Sequence, residues 1–195
     1  HTHCFLHKHR TDEDRALWSQ RGVLGSGEAL PEQHDAMIAE AGVSRFVVVA
    51  IPKHSGNHTP PEFIVDYVGR YPGRAVGFCS VHPDDDDAPE EFERALALPG
   101  MVGAQVPGNG FTTYADAEIM RPVLEVANRH KAIVFIHFGP RPGDDWPRVP
   151  KGTDNMRRRM GTLDMQANLS ANMVTLCMTE ILDAYPDAMI QSHNL

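Results

Sequence analysis

The chain has 195 residues, 42% hydrophobic and 23% charged, with 18 basic against 26 acidic side chains and a formal net charge of -8. This is the composition of one ordinary globular domain with room for a core. The acidic balance argues against a nucleic-acid or anionic-membrane surface, and no apolar run approaches the ~20 residues that span a bilayer. Three widely spaced cysteines, Cys4, Cys79 and Cys177, form no Cys-x-x-Cys pair, and the start of the chain is polar rather than signal-like. Together these features point to a reducing, cytoplasmic setting.

The chain opens His1-Thr2-His3. Strand side chains alternate between faces, so histidines at i and i+2 share one. Aimed into the mouth of a barrel, two such imidazoles grip one divalent ion. The same residues, with His7 and His9 beside them, also fit a solvated tail. Glu32 to Ala41 reads as a helix with Met37, Ile38 and Ala41 on one side and Gly42 as its stop. Arg45 to Ile51 is a β-branched strand ended by Pro52, and Pro61 to Tyr71 a helix that buries Phe63, Ile64, Tyr67 and Val68. Ala75 to Val81 is the next strand. The aspartates Asp84 to Asp87 after it read as a solvated loop and helix start.

A helix over Pro89 to Leu98 leads to a strand over Met101 to Val106, closed by Pro107-Gly108-Asn109-Gly110. Ala117 to His130 is a helix, and Ile133 to Phe138 the clearest strand of the chain. The irregular stretch from Pro140 to Leu163, with Trp146, reads as a functional loop or a poorly ordered one, and its Arg157-Arg158-Arg159 as mostly solvated or paired with nearby acids rather than greeting a carboxylated substrate. A helix over Leu169 to Tyr185 and a strand over Ala188 to His193 complete the series.

Continuous apolar strands alternating with helices predict an α/β fold with a covered parallel sheet. A doubly wound open sheet and a (β/α)₈ TIM barrel both satisfy that pattern. No Gly-x-Gly-x-x-Gly or Walker lysine loop follows a strand, which weakens a nucleotide-binding open sheet. Histidines stand at the C-terminal ends of the first strand, of the strand ending near His137 and of the strand ending at His193, where barrels build active sites. The barrel is favoured, as one domain over residues 1–195 with strands one to six represented.

A histidine pair on the first strand, with single histidines ending two later strands, resembles the metal-dependent amidohydrolase superfamily. More narrowly it looks like the amidohydrolase-related branch that includes aminocarboxymuconate-semialdehyde decarboxylase. Gly103-Ala104-Gln105 with Asn109-Gly110, Met120 to Glu125, Val134 to His137, and Ile181 to Asp187 leading to Ser192-His193 carry the likeness over nearly the whole chain. The resemblance implies His1, His3 and His137 as metal ligands. It makes His193 the catalytic histidine that contacts the metal or handles its water, and it puts Gln105 and Asn109 at the substrate. It implies a divalent cofactor, zinc first and manganese second, a small carboxylated substrate, and a homodimer. Arg10, Arg21 and Arg141 are candidate partners for the carboxylate.

Relatives of this branch complete the site with an aspartate at the end of an eighth strand, and this sequence stops at His193-Asn194-Leu195. Against the ~250 residues of a full barrel, the reading is a truncated one. A bound divalent ion acidifies water from a pKa of ~15.7 to ~7. Such a water serves hydrolysis and decarboxylation alike, and the resemblance to the superfamily at large implies hydrolysis of an amide, lactone or similar carbonyl. A non-oxidative decarboxylase is the alternative, and a catalytically inactive barrel fragment serving in binding or assembly is a second.

Overall fold

The structure is a computed structural model in which residues 1–12, 15–16, 28–51, 53, 57–83, 85–107, 117–137 and 181–193 are described. In chain order its elements are β1 (Thr2–His3), a 3-10 turn (His7–His9), α1 (Pro31–Glu40), β2 (Phe46–Val49), α2 (Pro61–Gly69), β3 (Ala75–Ser80), α3 (Ala88–Leu96), β4 (Met101–Pro107), α4 (Ala117–His130), β5 (Ile133–His137) and β6 (Met189–His193). The strands form one sheet in the order β1-β2-β3-β4-β5-β6, and the β1–β2, β2–β3, β3–β4 and β5–β6 pairs are parallel. This is the α/β alternation that the apolar strand runs predict. The chain divides into two compact units, His1–Val81 with Glu90–Gln105, and His82–Pro89 with Val106–Leu195.

In the first unit, Val48, Val49 and Ala50 are completely buried, as expected of a parallel sheet covered on both faces. α2 opens with Pro61 at its first turn, where a missing N–H leaves no bond unmade. It buries Ile64, Tyr67 and Val68, while Phe63 is half-buried. Its approach to β3 depends on Gly77. A Cβ there would lie 2.5 Å from the Met101 sulfur and 2.7 Å from Ile64 Cγ2.

α1 also begins with proline, and the Gln33 side chain accepts the Leu30 N–H at 2.8 Å. It ends as the glycine predicts. Val43 N–H reaches Ile38 O at 3.1 Å and Gly42 N–H reaches Ala39 O at 3.2 Å, with Gly42 at φ 62. That is a Schellman end. The buried side of α1 differs from expectation: Met37 is 64% exposed and Ala41 is open, and only Ile38 of that trio is half-buried. The helix turns Pro31 and His34 inward instead, because His34 has a hydrogen-bond partner there that hydrophobic periodicity does not register.

In the second unit, α4 buries Met120, Val123, Leu124, Val126 and Ala127 despite an internal Pro122. It ends in the same motif without a glycine. Ala132 N–H reaches Ala127 O at 2.9 Å and Lys131 N–H reaches Asn128 O at 3.4 Å, with Lys131 at φ 50. Asn128 Oδ1 also accepts the Asp187 N–H at 2.8 Å. β5 and β6 run in register from Ile133↔Met189 to His137↔His193. Helical residues 181–184 precede β6, and Ile181 is completely buried.

Candidate active site

β1 is only two residues long, yet it orients the histidine pair. Thr2 and His3 take Val48 and Val49 as partners, so His1 and His3 fall on one face and Thr2 on the other. The His1 and His3 rings lie 5.2 Å apart, edge to face. An imidazole nitrogen bound at about 2.0–2.1 Å puts its ring centre about 3.2 Å from the ion, so two rings on one tetrahedral ion stand about 5 Å apart. The observed pair fits that spacing. His3 Nδ1 lies 3.3 Å from the carbonyl oxygen of Ala50. A carbonyl only accepts, so Nδ1 carries the proton and Nε2 of the neutral ring is the electron-pair donor. Backbone contacts of this kind fix the tautomer and direction of metal-binding histidines.

The register extends this face across the unit. His3, Val49, Phe78 and Gly103 are successive partners across β1 to β4. Two residues further along, about 6.6 Å toward the strand C-termini, the same face carries Ser80 and Gln105, themselves partners. Gln105 is 1% exposed, and its Oε1 has no hydrogen-bond partner among the described residues. Leaving such an acceptor unpaired costs about 1–3 kcal/mol. Just past β2, Lys53 donates its backbone N–H to Ser80 Oγ at 2.7 Å and its Nζ to Glu91 at 2.6 Å. Glu91 is 8% exposed, and His58 Nε2 lies 3.6 Å from its other oxygen.

The opposite face of β1 has its own polar chain. Thr2 Oγ1 lies 3.3 Å from His34 Nε2, and His34 Nδ1 is 2.6 Å from the Tyr67 hydroxyl. Tyr71 stacks near Tyr67 and donates its hydroxyl to Asp35. Burial holds the His34 imidazole below its ordinary pKa, against a smaller opposing pull from Asp35, and pushes the Tyr67 phenol up. Sequence reasoning missed this chain and the Lys53–Glu91 pair. Neither has a local motif, and only the packing of α1, α2 and α3 assembles them.

The remaining predicted residues divide by position. His137 and His193 end β5 and β6 as register partners; their side chains lie outside the described residues, as does all of Asn109. Arg21, Arg141, Trp146 and Arg157-Arg158-Arg159 lie outside them too. Arg10 is buried with its guanidinium 5.3 Å from the Phe5 ring centre. His9 is structural: its Nδ1 accepts the Leu6 N–H at 3.0 Å, and burial lowers its pKa. Among the described residues, no three His, Cys, Asp or Glu side chains form a group able to hold an ion.

The sequence profile of the amidohydrolase family matches residues 1–193. The chain belongs to the amidohydrolase family. No curated protein matches it. Among solved structures, an amidohydrolase II is 18% identical, with a TM-score of 0.59 over 97% of this chain and 64% of its own. 5-Carboxyvanillate decarboxylase from Sphingomonas paucimobilis is 17% identical, with a TM-score of 0.61 over 95% of this chain and 61% of its own. The Novosphingobium aromaticivorans 5-carboxyvanillate decarboxylase, solved with manganese and 4-hydroxy-3-methoxy-5-nitrobenzoic acid, is 19% identical, with a TM-score of 0.57 over 94% and 53%. These likenesses establish the fold, and this amidohydrolase chain spans between 53% and 64% of the three structures' lengths. Its six strands correspond to part of a (β/α)₈ barrel.

Proposed function

We propose that this chain carries the metal site of a hydrolase acting on a small, carboxylated substrate. The observation that carries the reading is the His1–His3 pair, with rings 5.2 Å apart and His3 Nδ1 committed to the Ala50 carbonyl. Two imidazoles on one strand face are a donor set suited to zinc first and manganese second. His1, His3 and His137 hold the ion in this reading, and His193 moves the proton during bond cleavage. Gln105 and Asn109 hold the substrate. A divalent ion bound there supplies Lewis-acid polarisation of a substrate oxygen and an acidified water.

A non-oxidative decarboxylase is the second reading. The Gln105 and Asn109-Gly110 stretch favours it, as do two decarboxylases among the similar structures. We further place the protein in the cytoplasm as a homodimer without nucleic-acid partners. The buried free thiols of Cys4 and Cys79 and the acidic charge support that setting. No helix among the described residues is long and apolar enough to cross a membrane.

Elemental analysis of the purified chain and of His3→Ala and His137→Ala variants tests the reading. About one zinc or manganese per chain, lost in both variants, is expected for a single histidine-built site. No metal in the unaltered chain sinks it and turns attention to a binding or assembly role. Loaded protein then separates the reactions: release of CO₂ identifies the decarboxylase, and cleavage with uptake of solvent oxygen identifies the hydrolase.

A further inference from the structure

The polar chain on the Thr2 face of β1 has one direction along its whole length. Asp35 accepts the Tyr71 hydroxyl hydrogen. The Tyr71 oxygen is then the acceptor for Tyr67, to which it is hydrogen-bonded. With its hydrogen given to Tyr71, Tyr67 accepts from His34 Nδ1, 2.6 Å away. A neutral imidazole donates from one nitrogen and accepts at the other. His34 Nε2 is therefore the acceptor, and the Thr2 hydroxyl 3.3 Å away is its donor. Tyr67 and Tyr71 are buried, so the order of these bonds is set inside the protein rather than by solvent.

β1 needs such a hold. It has two residues and two register positions, both against β2. A slip of one residue would exchange its two faces and turn both histidines away from the side they share. In the observed register the Thr2 hydroxyl meets the acceptor that the chain from Asp35 leaves open at His34. Replacing both partners of a hydrogen bond with apolar groups of the same shape is close to neutral for stability. The bond is thus better explained by what it fixes than by what it stabilises.

We propose that Thr2 is a positioning residue for the histidine pair: its hydrogen bond to His34, oriented from Asp35, holds β1 in the register that turns His1 and His3 to one face. The inference rests on the metal-site reading and adds to it a residue that contacts neither ion nor substrate.

Two measurements on the full chain test it. The first is manganese titration, read by loss of the free ion's paramagnetic resonance signal. Thr2→Val keeps the branched shape without the hydroxyl and is expected to weaken binding about tenfold or more. Thr2→Ser restores the hydroxyl and is expected within about twofold of the unaltered chain. Thr2→Val combined with His34→Leu is expected to bind no more weakly than Thr2→Val, because one bond is not lost twice. The metal-free double variant is expected to melt within about 4 °C of the unaltered chain. Manganese affinity unchanged in Thr2→Val overturns the proposal, as does a Thr2→Ser chain as weak as Thr2→Val. A much lower melting temperature in the double variant means the bond serves the fold, and overturns it too.

The second measurement needs no metal. The His3 Nδ1 proton faces the Ala50 carbonyl at 3.3 Å and is followed by nitrogen-15 NMR, assigned by its loss in His3→Ala. Its exchange with water is expected to be at least about tenfold faster in Thr2→Val than in Thr2→Ser or the unaltered chain. Equal rates overturn the proposal even where manganese binds. An unaltered chain that takes up no manganese defeats the metal reading, while this arm still decides the role of Thr2.

Discussion

Single residues here are governed by what burial does to charge. Lys53 and Glu91 leave water as a pair, with side-chain exposures of 19% and 8%. Taking one away strands the other, which costs about 3 kcal/mol, whereas replacing both with apolar side chains is close to neutral. Lys53→Met is thus expected to lower stability by about that amount, and Lys53→Met with Glu91→Leu to recover most of it. Urea unfolding of both variants and of the parent checks this, and a double variant as weak as the single one refutes it. His34 and His9 behave differently, because burial disfavours their charged forms. Their folded pKa values lie below the unfolded value of 6.5. The unfolded chain therefore binds more protons between the two values. Their contribution to stability is complete above the unfolded pKa and is lost as pH falls through it toward the folded one. Stability is expected to drop below about pH 6.5, with a shallower drop in His34→Gln. An identical pH slope in that variant removes His34 from the account.

At the scale of elements, α1 and α4 solve one geometric problem with different residues. Each ends with a residue in the left-handed region, Gly42 at φ 62 and Lys131 at φ 50. Glycine adopts that conformation freely, and a residue with a Cβ gives up about 1 kcal/mol. Nothing lies within 4 Å of a Cβ built on Gly42, so Gly42→Ala isolates the backbone cost and is expected to destabilise by about 1 kcal/mol. Lys131→Gly is expected to stabilise by about 0.5–1 kcal/mol. Denaturant midpoints read both, and shifts of the same sign contradict the shared-motif account. The hydrophobic pattern located α1 to α4 and β2 to β6 to within a few positions, but not the 3-10 turn at His7–His9. It did not choose the inner side of α1, where the His34–Tyr67 hydrogen bond outweighs the exposure of Met37.

Across the whole molecule, the metal reading couples function to stability. An ion that binds only the folded chain stabilises it by about 2.7 kcal/mol at a hundredfold excess over its dissociation constant. Melting temperature is therefore expected to rise with added zinc or manganese and to fall on chelation. His3→Ala should abolish that increment while leaving the metal-free melting temperature little changed. A midpoint indifferent to metal and chelator contradicts the site. β1 bonds to β2 through two register positions, so the first two partnered residues of the chain decide how His1 and His3 face.

The sequence by itself determined the α/β alternation, the strands and the histidines worth watching, because those follow from period, composition and turn residues read locally. It also determined the glycine stop of α1, whose signal is one residue long. Only the tertiary structure decided that His9 is spent on the Leu6 N–H, that His3 Nδ1 meets the Ala50 carbonyl, that Lys53 meets Glu91, and that Gln105 is buried beside Ser80 with no partner for Oε1 among the described residues. Each of these joins groups distant in the chain or fixes a side chain against its surroundings. Hydrogen bonds and burial are properties of neighbours in space, and a linear pattern carries no record of them.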